Sequence, residues 1–252
     1  MAKILPINID MILRSKNIFP NLEMVNKSVE WFGTDSYEQF QVNILKKKFA
    51  LELNGWTESS KILYQFNDNG FRCGNFTEEP TIMFLGCSIT FCIGVPIEVS
   101  WPQLISTSLG LHNANLAWPG ASNDTAFRTA HHYLNKINPS IVVLLSPPVA
   151  RFDLAVNDET VFTFLPSNFP KEKDTGPNEY SNFYRTWMSS DANIELNRLK
   201  NILAIKQMCE SKGTKFLHLL TEDIKPVDFA RDLIHFGIQT NKNIADKFLS
   251  NL

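Results

Sequence analysis

Four short apolar runs, TIMFLG (81–86), NANLAW (113–118), IVVLLS (141–146) and KFLHLL (215–220), recur with helix-like stretches between them, and this alternation limits the fold more than any other feature. Strands separated by helices pair in parallel, and a parallel sheet must be covered on both faces. IVVLLS is the clearest strand, being β-branched and uninterrupted. The stretches between the runs carry the helical period. Residues 97–110 end on Gly110, which suits a C-cap, and 123–137 set Phe127, Ala130, Leu134 and Ile137 on one face. Residues 191–212 run through Leu196, Leu199, Ile202, Leu203 and Met208, while 241–252 turn Ile244, Phe248, Leu249 and Leu252 inward. The expected architecture is a three-layer α/β/α, flavodoxin-like fold with about five parallel strands, one of which could come from the N-terminal extension.

Two regions break the rhythm. Residues 1–79 mix a helix expected over 36–53 with irregular pieces, and they are expected to pack as an N-terminal extension on a core of 80–252. Residues 155–187, rich in Pro, Asn and aromatics, are long for a connection inside a compact α/β unit; they are expected to form an insertion or lid, or a surface loop whose aromatics pack on the body.

A net charge of -2 leaves no basic excess, so neither nucleic acid nor an anionic membrane surface is expected as a partner. No run approaches the about 18 apolar residues of a membrane span, and the N-terminus lacks a secretory h-region, which points to a cytoplasmic protein. Cys73, Cys87, Cys92 and Cys209 lack paired CxxC spacing, so free thiols and no metal site are expected.

In a parallel α/β sheet the ligand crevice lies beyond the carboxyl ends of the strands, and there the chemistry-bearing residues collect. Gly86, Cys87, Ser88 and Thr90 follow the first strand, and Trp118, Gly120, Ser122 and Asn123 the second. Ser146 and Arg151 follow the third, and Asp232 and His235 lie beyond the fourth. A serine hydroxyl needs a base within hydrogen-bond reach, usually a His held by a carboxylate. The spacing of Asp232 and His235 lets a turn bring the carboxylate onto Nδ1 and leave Nε2 for Ser88. The Ser88 N–H and, with no side chain in the way, the Gly120 N–H could hold an oxyanion.

These segments resemble the SGNH, or GDSL-type, hydrolases. FLGCSITFCIGV resembles the nucleophile block of that family, NLAWPGASN the second block beginning at Asn115 with Gly120 on the oxyanion glycine, and DLIHFG the terminal D-x-x-H block. The resemblance covers roughly 80–252. It implies Ser88 as nucleophile, His235 as base, Asp232 as the acid that fixes the imidazole, and no cofactor or metal. It also implies a small ester substrate, with an acetyl-like group on carbohydrate favoured over lipid. YQFNDNGFRCGNF (64–76) is similar to a lead-in found ahead of some bacterial and phage-borne members, with Asn67, Gly70 and Arg72 tying the extension to the rim of the site.

The chain departs from the family pattern at two places. Cys87 stands where the family often has Asp, outside the triad. In the third block LLSPPVARFDL has no Asn, so the second oxyanion side chain would be Ser146 or Asn123. Losing one such donor costs on the order of 10²–10³ in kcat. Three other readings stand beside the esterase: an acyltransferase with the same triad, a non-catalytic glycan-binding or structural module, which the absent Asn supports, and a flavodoxin-like nucleotide binder, against which no Gly-rich phosphate loop follows the first strand. Cys87 in place of Ser88 is the alternative nucleophile. Arg151 could clamp a substrate anion or pair with Asp153, and Trp118 could face substrate. His218, inside an apolar strand, is expected to be buried.

Overall fold

The computed structural model describes residues 20–155, 161–165 and 185–252. Its centre is a sheet of four parallel strands, β3 (Thr81–Leu85), β4 (His112–Asn115), β5 (Ile141–Ser146) and β8 (Lys215–Leu220), in the order β4-β3-β5-β8. Every residue of β3 is buried, as a central strand between two helical layers must be. Helices α3 (Trp101–Leu109) and α6 (Ile238–Leu249) pack together on one face, and α4 (Asn123–Ile137) and α5 (Asp191–Glu210) on the other. The α/β architecture with helices on both faces is thus as expected.

Among the described residues the parallel sheet has four strands, and the described part of the N-terminal extension gives none of them: β1 (Ser28–Val29) and β2 (Tyr64–Gln65) pair antiparallel with each other. Its other ordered part is α1 (Tyr37–Leu53), whose Ser36 Oγ accepts from the Gln39 N–H as an N-cap. Phe40, Leu51, Trp56, Ile62, Tyr64 and Phe66 join Ile82, Phe84, Trp101 and Phe248 in one core cluster, so the segment ahead of β3 closes one face of the sheet.

Three further differences are local. Strand β4 stops at Asn115, short of Trp118, where the Asn115 carboxamide accepts from the Ala117 N–H, although the Leu116 and Trp118 N–H groups still donate to the Phe84 and Gly86 carbonyls. On α5, Leu196, Leu199 and Leu203 face outward; Asn197 and Asn201 face inward and donate to Asp124, and Arg198 pairs with Glu195 and Glu222. A polar network, with Ile202, Ile205 and Cys209, fixes that helix's rotation rather than the leucine stripe. His218 is exposed, since β8 is an edge strand.

Of the expected insertion at 155–187, residues 156–160 and 166–184 lie outside the described residues, and with them the question of a lid. Its described flanks include an antiparallel pair, β6 (Phe152–Ala155) with β7 (Val161–Phe164), where Phe152 stacks on Phe164 and on Trp187. Among the described residues, no helix is long and apolar enough to cross a membrane and no three His, Cys, Asp or Glu side chains cluster as a metal site would.

Candidate active site

At the end of β3 the backbone turns at Gly86, whose φ of +155° and surroundings exclude any side chain: an added Cβ would lie 2.1 Å from Thr90 Oγ1 and 2.9 Å from the Leu145 carbonyl oxygen. This sharp turn delivers Ser88 to the start of α2 (Ser88–Phe91), a single helical turn. Ser88 is buried with 7% of its surface exposed, and Cys87 before it is almost fully enclosed at 1%. The adjacent strand brings its own turn alongside, where the Trp118 N–H donates to the Gly86 carbonyl. Gly120 follows with φ +81°, and a capping box between Ser122 and Thr125 then starts α4. The Ser88 and Gly120 N–H groups have no acceptor among the described residues.

The Asp232-x-x-His235 segment is a closed turn. Asp232 Oδ1 accepts from the backbone N–H groups of Ile234 and His235, both at 3.0 Å, and Leu233 between them takes φ +57°. The Ala230 N–H donates to the His235 carbonyl and closes the loop. Its second oxygen, Oδ2, accepts from His235 Nδ1 at 2.7 Å. The Asp232 side chain is fully buried while that of His235 keeps 13% exposure. Burial pushes the Asp232 carboxyl upward, but the His235 ring, the His235 N–H and the Thr34 hydroxyl outweigh it and hold the group below the usual Asp range.

The loop docks on the segment that follows Ser88. The Arg231 N–H donates to the Gly94 carbonyl, and a Cβ on Gly94 would meet Ala230 Cβ at 2.8 Å. The Ser88 hydroxyl and His235 Nε2 nevertheless have no hydrogen-bond partner among the described residues, so the Ser–His bond of a closed triad is not made in this structure.

The N-terminal extension holds this loop from outside. Arg231, fully buried, reaches Asp35 through Nε at 2.9 Å and Nη2 at 2.8 Å, and donates to the Ser60 and Glu30 carbonyls. Its guanidinium lies 4.0 Å from the centre of the Trp31 ring. Tyr64 links Asp35 back to the segment that follows Ser88, donating to Asp35 Oδ2 at 2.6 Å and accepting from the Gly94 N–H at 2.8 Å. Thr34 Oγ1 donates to Asp232 Oδ2 at 2.6 Å, and Asn43 Nδ2 to the Asp232 carbonyl. Arg72 donates to the carbonyls of Phe91, Cys92 and Val95, just past α2, where Asn67, Gly70 and Arg72 were expected to tie the extension to the rim. The Asn67 carboxamide shapes that lead-in, accepting from the Asn69 and Phe71 N–H groups around Gly70.

Ser146 and Asn123 are buried against each other. The Ser146 hydroxyl donates to Asn123 Oδ1 at 2.6 Å, and Asn123 Nδ2 to the Pro147 carbonyl. Ser146 thus spends its single proton inside the protein. Trp118 is half-buried in an aromatic cluster with Phe32, Phe66 and Phe91. Arg151 donates to the Ala121 carbonyl at 3.4 Å. It does not pair with Asp153, whose cation is Arg128. All four cysteines are free and buried, and desolvation pushes the Cys73 and Cys92 thiols up to about 12. The contributions of Thr34, Asp35 and Tyr64 carried no sequence signal, since Thr34 lies 198 residues from Asp232.

No protein-family model matches the sequence, and no curated protein matches it. Among solved structures, the chain is similar to TesA at 12% identity, with 68% of this chain and 96% of that one covered and a TM-score of 0.42. It is similar to the psychrotrophic esterase EstA from Pseudoalteromonas sp. at 14% identity, covering 68% and 94%, with a TM-score of 0.35. A member of the lipolytic protein G-D-S-L family from Veillonella parvula gives 15% identity, 68% and 96% coverage, and a TM-score of 0.33.

Proposed function

We propose that the protein is a serine ester hydrolase of the SGNH type that removes a small, acetyl-like acyl group, with an O-acetylated carbohydrate as the favoured substrate. The observation that carries this reading is the buried Asp232 carboxylate, 2.7 Å from His235 Nδ1, in a ring whose Nε2 is left without a protein partner. A carboxylate so placed selects the tautomer with its proton on Nδ1, which makes Nε2 a base. In the proposed reaction His235 Nε2 takes the Ser88 proton as Oγ attacks the ester carbonyl. The Ser88 and Gly120 N–H groups hold the resulting oxyanion. Collapse of the intermediate expels the alcohol, to which His235 returns the proton, and water then releases the acyl group by the same steps in reverse order. The chemistry requires no metal or cofactor.

A second reading, a glycan-binding module that keeps the fold without turnover, is favoured by one observation. The Ser146 hydroxyl donates its only proton to Asn123 Oδ1, so it does not offer the side-chain donor expected in the third block.

Hydrolysis of p-nitrophenyl acetate by the wild type, Ser88→Ala and His235→Ala proteins tests the proposal, together with labelling by a serine-directed phosphonate. Turnover that falls to background in both variants, with label on Ser88, is the expected result. Wild-type turnover no faster than that of Ser88→Ala, with Ser88 unlabelled, would overturn it in favour of the binding module. Thiol-reagent labelling of Cys87 with parallel loss of activity would move the nucleophile one residue upstream.

A further inference from the structure

We infer that Thr34, 54 residues ahead of the proposed nucleophile in sequence, is a positioning residue of the acid–base pair: its hydroxyl fixes the Asp232 carboxylate in the orientation that presents Oδ2 to His235 Nδ1. The inference rests on the roles proposed for Asp232 and His235, and it adds to the site a residue from outside the region that resembles a hydrolase.

The geometry is that of a two-point grip. Residues 31–35, Trp-Phe-Gly-Thr-Asp, make a tight turn closed by reciprocal hydrogen bonds between Phe32 and Asp35. Gly33 takes φ +63° at its tip, where a Cβ would meet Ile93 Cδ1 at 3.1 Å, so the turn sits directly on the segment behind Ser88. Two consecutive residues of this turn then hold two consecutive residues of the loop. Asp35 binds Arg231 through two oxygens, and Thr34 binds Asp232 at 2.6 Å.

The four acceptor contacts of Asp232 divide evenly between its oxygens. Oδ1 takes two backbone N–H groups of its own loop, which orient one end of the carboxylate but leave the other end to its partners. Oδ2 has only His235 Nδ1 and Thr34 Oγ1, and the threonine oxygen lies 3.3 Å from Nδ1 as well. The imidazole is therefore aligned against an oxygen that the extension has already placed. Thr34 itself is exposed, so water can replace part of its effect when the hydroxyl is lost. A loss of about 10-fold follows, well below that of removing the carboxylate.

The test uses the full chain as wild type, Thr34→Val and Thr34→Ser. Valine keeps the shape without the hydroxyl, and serine restores the hydroxyl. Two readouts are taken: kcat and KM for p-nitrophenyl acetate, and the ring ¹⁵N shifts of His235, which report its tautomer whether or not the protein turns over ester. In the expected result Thr34→Val lowers kcat about 10-fold with KM within about twofold and mixes the two tautomers, while Thr34→Ser restores both to wild-type values. Wild-type kcat and an unchanged Nδ1–H tautomer in Thr34→Val would overturn the inference, as would an Nε2–H tautomer in the wild type. If the wild type shows no Ser88-dependent turnover, the hydrolase reading fails separately, and the ¹⁵N shifts alone decide the role of Thr34.

Discussion

Replacing Arg231 with Met should destabilise the protein far more than a change of one side chain in a loop would suggest. Arg231 and Asp35 have no exposed side-chain surface, and the guanidinium makes two bonds to the carboxylate besides those to the Ser60 and Glu30 carbonyls. Methionine fills most of the volume against Trp31 and Phe40, so the cavity cost is small. What remains is a buried carboxylate with only the Tyr64 hydroxyl to solvate it. Breaking such a pair from one side costs about 3–5 kcal/mol, a large part of the roughly 5–15 kcal/mol that holds a typical domain together. For a chain of this size that corresponds to a fall in Tm of about 6–20 °C. Asp35→Asn should cost a similar amount by stranding the guanidinium. The two losses should not add, because the second substitution removes a charge the first has already isolated; a coupling of at least about 2 kcal/mol is expected in the double variant. Urea unfolding and calorimetry of the four proteins measure this cycle. A loss under about 1 kcal/mol in either single variant, or strict additivity, would refute the view that a buried charge pair anchors the Asp232–His235 loop to the extension.

Gly86→Ala should block folding or cost several kcal/mol, since its Cβ would penetrate Thr90 and the Leu145 carbonyl; soluble protein with wild-type Tm would contradict the turn geometry. Asp232→Asn should lower kcat by about 10³–10⁴ with KM little changed, measured on the same ester. The pH dependence of its stability has a definite sign. The folded-state pKa of Asp232 lies below the unfolded value, so its contribution is full above about pH 4 and fades as pH falls through the folded-state pKa. The gap in urea midpoint between wild type and Asp232→Asn should therefore narrow towards low pH, and a gap that widens would reverse the assignment. On α5, Leu203→Glu should change stability by less than about 0.5 kcal/mol, whereas Ile205→Ala should cost about 2–4 kcal/mol, because Leu203 faces outward and Ile205 is fully buried.

The legible parts of this protein are those whose cause is local. Strands β3, β5 and β8 begin and end as their apolar runs do, β3 and β5 because a run buried on both faces has no other way to satisfy its surface, and β8 because its run pairs residue for residue with β5. The pairing of Asp232 with His235 was equally readable, since an Asp that accepts from the second and third N–H groups after it needs only three residues to bring its free oxygen to an imidazole. The rotation of α5 was not. Its leucines match a helical stripe, but the half-buried Asp124 on a neighbouring helix draws Asn197 and Asn201 inward, and its two hydrogen-bonded amides outweigh three leucines that can stay in water.

By itself, the sequence determined the parallel α/β core and the turn that presents Asp232 to His235. Only the tertiary structure decided that the parallel sheet has four strands among the described residues and that the Ser146 hydroxyl donates to Asn123. It also decided that the Asp232–His235 loop is held by Thr34 and Asp35 from the N-terminal extension. The reason is physical: apolar periodicity and short turns are written in neighbouring residues. A buried charge finds its partner wherever packing brings one, here at a separation of 196 residues between Asp35 and Arg231.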